Sequence, residues 1–254
     1  FYTDPVDMLE NEKIDIFVEL IGGEDIAKNI VIKAIDKKLH VVTANKALIA
    51  LHGTKINQLS LEKNCSVLYE ASVAGAVPII KVIKESLSAN KIQWIAGIIN
   101  GTTNYILTEM LLSGKNFNDV LNEAKELGYA ESDSTFDIGG IDAAHKLTIL
   151  ASICFGIPLN YDSVYVEGIE DIDLQDLNNA MELGYTIKHL AIARKSKYGI
   201  ELRVHPCLVP NSRLLANVNG VKNAVVVNSD AAGPTLYYGA GAGSLATASS
   251  VVSD

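Results

Sequence analysis

Between Ile14 and Tyr69 short apolar runs alternate with stretches of helical period, and this alternation leaves few folds open. Ile14–Leu20, Leu39–Thr43 and Ser66–Tyr69 are rich in β-branched residues and too short for core helices. Between the first two runs, Ile26, Ile30, Val31, Ala34 and Ile35 recur at helical spacing. Between the second and third, residues 45–64 read as helical, with a break expected near His52-Gly53. Strands separated by helices of this length form parallel βαβ units. Such sheets bind ligands beyond the carboxyl ends of their strands. That rule points to Gly22-Gly23, Thr43–Lys46 and Glu70–Gly75.

The middle of the chain has another rhythm. A helix is expected over 79–89, then a long strand over Lys91–Ile99 and helices near 103–114, 117–127 and 141–155. Ser163–Gly168, a helix near 174–183 and strands near 186–193, 199–208 and 223–228 follow, in the manner of an α+β domain. Gly239-Ala240-Gly241-Ala242-Gly243 opens a last helix rich in Ala, Ser and Val. A Rossmann unit begins with a strand and G-x-G-x-x-G, and nothing before Ile14 supplies either, so the chain is expected to start partway into such a unit. The expected class is α/β: a partial Rossmann-type parallel-sheet domain over 1–72, completed by 239–254, plus an α+β catalytic and dimerisation domain over 73–238.

Composition removes several functions. A net charge of -9 argues against a nucleic-acid partner, and no run of apolar residues is long enough to span a bilayer. Cys65, Cys154 and Cys207 are far apart and set in apolar runs, which reads as buried free thiols in a reducing, cytoplasmic compartment. The histidines lack the close spacing of a zinc site, and no G-x-S-x-G or phosphate-loop lysine occurs.

Chemistry concentrates in Gly128–Lys146, where four carboxylates and a lysine surround a glycine pair ahead of an apolar helix. Asp142 and Lys146 are one turn apart and share a helix face. Burial there disfavours the lysine's charge while carboxylates favour it, the balance a proton-transferring group needs; a capped helix with a surface ion pair is the plainer reading. Lys46 opens a helix, where the macrodipole disfavours a cation, and a lysine near a second cation acquires a lowered pKa. Glu70–Pro78 follows a strand with small residues whose carbonyls are open to a hard cation, or is only a βα corner. Asn100-Gly101-Thr102-Thr103-Asn104 ends a strand and caps a helix, and its amides and hydroxyls suit a substrate carboxylate or the helix's own N–H groups. His145, about 100° round the helix from Lys146, reads as structural.

Taken in order, Ile21-Gly22-Gly23, Thr43–Lys46, Tyr69–Gly75, Asn100–Asn104, Gly128–Lys146 and Gly239–Gly243 resemble the homoserine dehydrogenase family over nearly the whole chain. The resemblance implies NAD(P)-dependent interconversion of L-homoserine and L-aspartate 4-semialdehyde, in threonine, methionine and isoleucine biosynthesis, by a homodimer or higher homo-oligomer. It implies that Lys146, Lys46 and Asp142 are catalytic, and that Glu131, Tyr129, Asp137, Gly101 and Thr102 bind substrate. Gly22, Lys46 and Gly243 would touch NADP or NAD, and Glu70, Val73, Gly75 and Val77 would hold Na+ or K+. The alternatives are another NAD(P)-dependent amino-acid or semialdehyde dehydrogenase, or a module that binds substrate without turning it over.

Overall fold

The computed structural model describes residues 1–254. A three-stranded parallel sheet is formed by β1 (Ile16–Glu19), β2 (His40–Thr43) and β3 (Val67–Leu68) in that order, with Ile16 opposite His40 and Val41 opposite Val67. Helix α1 (Pro5–Asn11) precedes it, capped by Asp4 with Pro5 in its first turn, and was not expected from the sequence. Helices α2 (Asp25–Asp36) and α3 (Lys46–Lys63) are the crossovers. α3 runs unbroken through His52-Gly53: a Cβ on Gly53 would lie 2.5 Å from the Leu159 side chain, so the glycine there serves close packing rather than a break.

Beyond β3 a helical turn, α4 (Ile79–Lys81), passes into a π-helical stretch, Val82–Ser86, where a plain α-helix was expected. The second sheet has six strands in the order β5-β7-β6-β4-β8-β9: β4 (Ile92–Ile98), β5 (Tyr165–Val166), β6 (Tyr185–Ser196), β7 (Gly199–Pro210), β8 (Lys222–Ser229) and β9 (Gly233–Ala240). All its pairings are antiparallel except β5 with β7. β9 went unseen in the sequence because Pro234, Gly233 and Gly239 disguise it; a proline is tolerated there because β9 is an edge strand. Helices α5 (Gly101–Ser113), α6 (Phe117–Glu126), α7 (Thr135–Ile138), α8 (Ile141–Phe155) and α9 (Leu174–Glu182) pack around this sheet, and α10 (Ser244–Ser253) closes the chain.

The two sheets share one core. Its buried side chains run from Phe17 and Val41 through Leu147 and Ile149 of α8 to Val204 and Val227. α8 is apolar on most sides because it lies between the layers, and it carries Asp142 and Lys146 at its N-terminal end. α10 returns to the first layer: the Ser250 hydroxyl donates to the Gly75 carbonyl at 2.7 Å, and Asp254 pairs with Lys81 at 3.1 Å. The three cysteines are free, as expected, but only partly buried. No helix is long and apolar enough to cross a membrane.

Candidate active site

α8 begins at Gly140, held at φ +84°, where a Cβ would crowd Val166, His189 and Val204. This left-handed entry sets Asp142 in the first turn, 3% exposed. Its Oδ2 accepts from Lys146 Nζ at 2.6 Å and its Oδ1 lies 2.9 Å from Lys46 Nζ. Lys46 arrives from the other layer, at the first residue of α3 behind an Asn45 cap. Lys146 also donates to the Ile99 carbonyl at 2.8 Å. One carboxylate thus joins the two sheets' helices through two ammonium groups.

Burial raises the pKa of the Asp142 carboxyl, but the two lysines and the Asn100 amide outweigh it and hold the group well below the usual carboxylate range. Lys46 departs from expectation. Burial lowers its pKa, yet Asp142, Asp137 and Glu131 together raise it above the ordinary lysine value, so it stays a cation. A second ammonium lies close, but the carboxylates outnumber it. Asp137, beside the pair, has a carboxyl pushed up chiefly by burial.

Asn100 bridges the acids: its Nδ2 donates to Asp137 Oδ1 at 2.7 Å and to Asp142 Oδ2 at 2.9 Å, while its Oδ1 caps Thr103. Its side chain is therefore committed and not free for a substrate carboxylate. Thr102 donates to the Tyr129 carbonyl at 2.7 Å, tying α5 to the 128–137 segment. His145 is buried between the rings of Phe136 and Tyr161, in the structural place expected of it.

A cavity of about 490 Å³ opens on this cluster. Lys46, Gly101, Thr102, Tyr129, Glu131, Asp137, Asp142, Lys146 and Gly243 all line it, so nine of the expected residues converge. Gly22 does not; it lines a recess of about 410 Å³ with Ala44, Asn45, Ser244 and Thr247, at the carboxyl ends of β1 and β2. A smaller hollow of about 180 Å³ touches Lys46, Lys146, Gly241 and Ala242 of the first and Ala44 and Thr247 of the second, joining them into one trough. Another recess of about 430 Å³, beside α9, holds Glu167 and Asp176 but no lysine or arginine. Size does not separate these cavities; chemistry does.

The trough has the features of a nicotinamide-cofactor site. Gly22 and Gly23 turn at positive φ at its rim, and α10 points an N-terminus into it with no side chain capping the helix. Gly75 and Gly241 meet in its floor, where a Cβ on Gly75 would lie 2.6 Å from the Gly241 carbonyl. Glu19, which the sequence reading passed over, builds the rim. It is wholly buried, and its carboxylate accepts from Ile21 and Gly22 N–H at 2.8 and 3.1 Å and from the Thr43 hydroxyl at 2.6 Å. A carboxylate on the core face of an apolar strand was the available signal.

The Glu70, Val73, Gly75 and Val77 set is more occupied than a cation site would suggest. Both Glu70 oxygens accept backbone N–H groups, from Ile80 at 2.8 Å and Lys81 at 2.7 Å. The Gly75 carbonyl takes the Ser250 hydroxyl, and the Val77 carbonyl takes Ile79 N–H at 2.7 Å. Glu70 thus starts the helical turn after it.

Comparison with known proteins agrees with this geometry. Residues 78–254 match the family model for homoserine dehydrogenase and residues 1–70 that for the homoserine dehydrogenase NAD binding domain. The homoserine dehydrogenase of Pseudomonas aeruginosa is 61% identical over 99% of the chain and that of Neisseria gonorrhoeae 56% over all of it; the chain spans 58% of each. Among solved structures, a homoserine dehydrogenase from Thiobacillus denitrificans superposes with a TM-score of 0.97 at 57% identity, covering 99% of this chain and 58% of that one. A hyperthermophilic archaeal homoserine dehydrogenase in complex with NADPH superposes with a TM-score of 0.86 at 31% identity, covering all of this chain and 74% of its own. The chain belongs to the homoserine dehydrogenase family.

Proposed function

We propose that the protein interconverts L-homoserine and L-aspartate 4-semialdehyde with NAD(P). The observation that carries this is the Lys46–Asp142–Lys146 cluster, at the junction of a parallel-sheet recess and a cavity walled by Glu131. When bound, the nicotinamide supplies the hydride acceptor, or in reverse the donor. In oxidation Lys146 Nζ is the group that takes up the hydroxyl proton as the alcohol carbon gives up hydride; in reduction the same nitrogen returns a proton to the aldehyde oxygen. Asp142 aims Lys146 and keeps Lys46 cationic beside the reacting oxygen. Glu131 receives the substrate ammonium, while Asp137, Tyr129, Gly101 and Thr102 shape the wall around the amino-acid head. Gly22 and Gly243 flank the dinucleotide.

The same reading takes 1–72 with 239–254 as the dinucleotide unit and 73–238 as the substrate and dimerisation unit, in a cytoplasmic homo-oligomer. Na+ or K+ at the Glu70–Val77 loop would have to share its oxygens with the backbone donors already present, so rate should respond weakly to either salt.

The test is absorbance at 340 nm with L-homoserine and NAD or NADP, using wild type and Lys146→Ala. Reduction by wild type, lost in a folded Lys146→Ala, is expected. An active Lys146→Ala would remove the lysine assignment, and an inert wild type the activity itself.

A further inference from the structure

Lys188 lies in the first half of β6 and is 1% exposed, among the largest fully buried side chains in the molecule. It makes no ion pair. An ammonium without a counter-charge in a dry interior is costly and persists only where its hydrogen bonds are made. Here three oxygens meet it: the Val218 carbonyl at 2.6 Å, Asn219 Oδ1 at 3.1 Å and Asn104 Oδ1 at 3.2 Å. Burial pushes its pKa down to about 8.

Asn104 is equally buried and works from the other side. An ammonium only donates, so Asn104 must turn its oxygen to Lys188 and its nitrogen away. That Nδ2 reaches the carbonyls of Gly220 at 2.7 Å, Val218 at 3.1 Å and Lys222 at 3.4 Å. Thr108, one turn further along α5, accepts from Gly220 N–H at 3.4 Å. The segment held in this way continues directly into the cavity wall, since Val221 and Lys222 line the site. It also abuts Gly101, where a Cβ would stand 2.9 Å from the Val221 carbonyl.

We propose that Lys188 and Asn104 form a buried clamp that positions the 218–222 segment, and with it the Val221–Lys222 wall against which substrate binds. Both are positioning residues: neither lines the reacting end of the cavity, and they act through the loop carbonyls. The inference rests on the dehydrogenase reading for its substrate, while the clamp itself can be tested without turnover.

Asn104→Asp separates positioning from stability. The carboxylate gives Lys188 a counter-ion, so the melting temperature should hold or rise. It also sets an anion against three carbonyls in place of a donor, so the loop should loosen. In the complete protein, KM for L-homoserine should rise about tenfold with kcat within about twofold, and amide hydrogen exchange should quicken in 218–222 and not in α8. Lys188→Met, which removes the charge and keeps most of the volume, should show the same split, and serves as the measure if Asn104→Asp folds poorly. Unchanged KM and exchange in the folded variants would overturn the proposal, as would a fall in kcat at constant KM. If wild type fails to oxidise homoserine, the functional reading falls, and the exchange comparison still decides whether the clamp exists.

Discussion

Asp142→Asn is the perturbation whose cost the structure fixes best. The carboxylate is 3% exposed and touches two ammonium groups, at 2.6 and 2.9 Å. Removing one partner of a fully buried ion pair costs about 3–5 kcal/mol, because the other charge is stranded. Two features bring this site to the lower end. The Lys46 side chain is 35% exposed and can recover water, whereas Lys146, at 13%, cannot do so fully. Asparagine also keeps the shape and one acceptor, although its amide nitrogen must face either Lys46 or the Lys146 and Asn100 donors together. A loss of about 3 kcal/mol at neutral pH follows, read as a shift of the urea midpoint at unchanged slope.

The pH dependence carries the sign. Because the folded carboxyl titrates below its ordinary value, its stabilising contribution is complete above about pH 4, the unfolded pKa, and is lost as pH falls through the folded one. The gap between wild type and Asp142→Asn should therefore be level from pH 7 to about pH 4 and narrow below it. A loss under about 1 kcal/mol, or a gap that stays constant at acid pH, would show that Asp142 does not hold both lysines, and the site would need a different electrostatic account.

Three further outcomes follow from the same geometry. Gly241→Ala places a Cβ 2.0 Å from the Asn223 side chain, so thermal melting should show a loss of about 1–3 kcal/mol, recovered in Gly241→Ala/Asn223→Ala because the buried Asn223 amide has no hydrogen-bond partner to lose; two additive losses would refute the clash. Glu19→Gln removes the charge and sets an amide donor against either the Ile21 and Gly22 N–H groups or the Thr43 hydroxyl, so stability should fall by about 1–3 kcal/mol and KM for NAD(P) should rise, with KM for homoserine little changed; an unaltered cofactor KM would separate Glu19 from the rim. Burial pushes the Cys154 and Cys207 thiols up to about 12 and about 11, so iodoacetamide at pH 7 should leave turnover intact, and inactivation that tracks one modified cysteine would revive a thioester-forming semialdehyde dehydrogenase.

What the sequence displayed and what it hid divide along the range of the interactions involved. Asp142 and Lys146 were legible because one helical turn brings them together whatever else the chain does, and their 2.6 Å contact is local in origin. Lys46 was legible as a lysine at a helix start, yet its protonation was misjudged. Its pKa is decided by Asp142, Asp137 and Glu131, some 85 or more positions away, and no local window contains them. The break expected at Gly53 failed for a similar reason: local propensity reads a glycine as a stop, while the structure uses it to admit Leu159. Glu19 and Lys188 show the deepest limit. Each sits in a strand with apolar residues beside it, where a charge looks like a solvent-facing residue until the second layer is in place. Both are then found buried, holding the loops that border the two halves of the trough. A charged residue on the core side of an apolar strand thus marks a place where the fold stabilises a loop at the expense of desolvation, and in this chain both such places adjoin the candidate site.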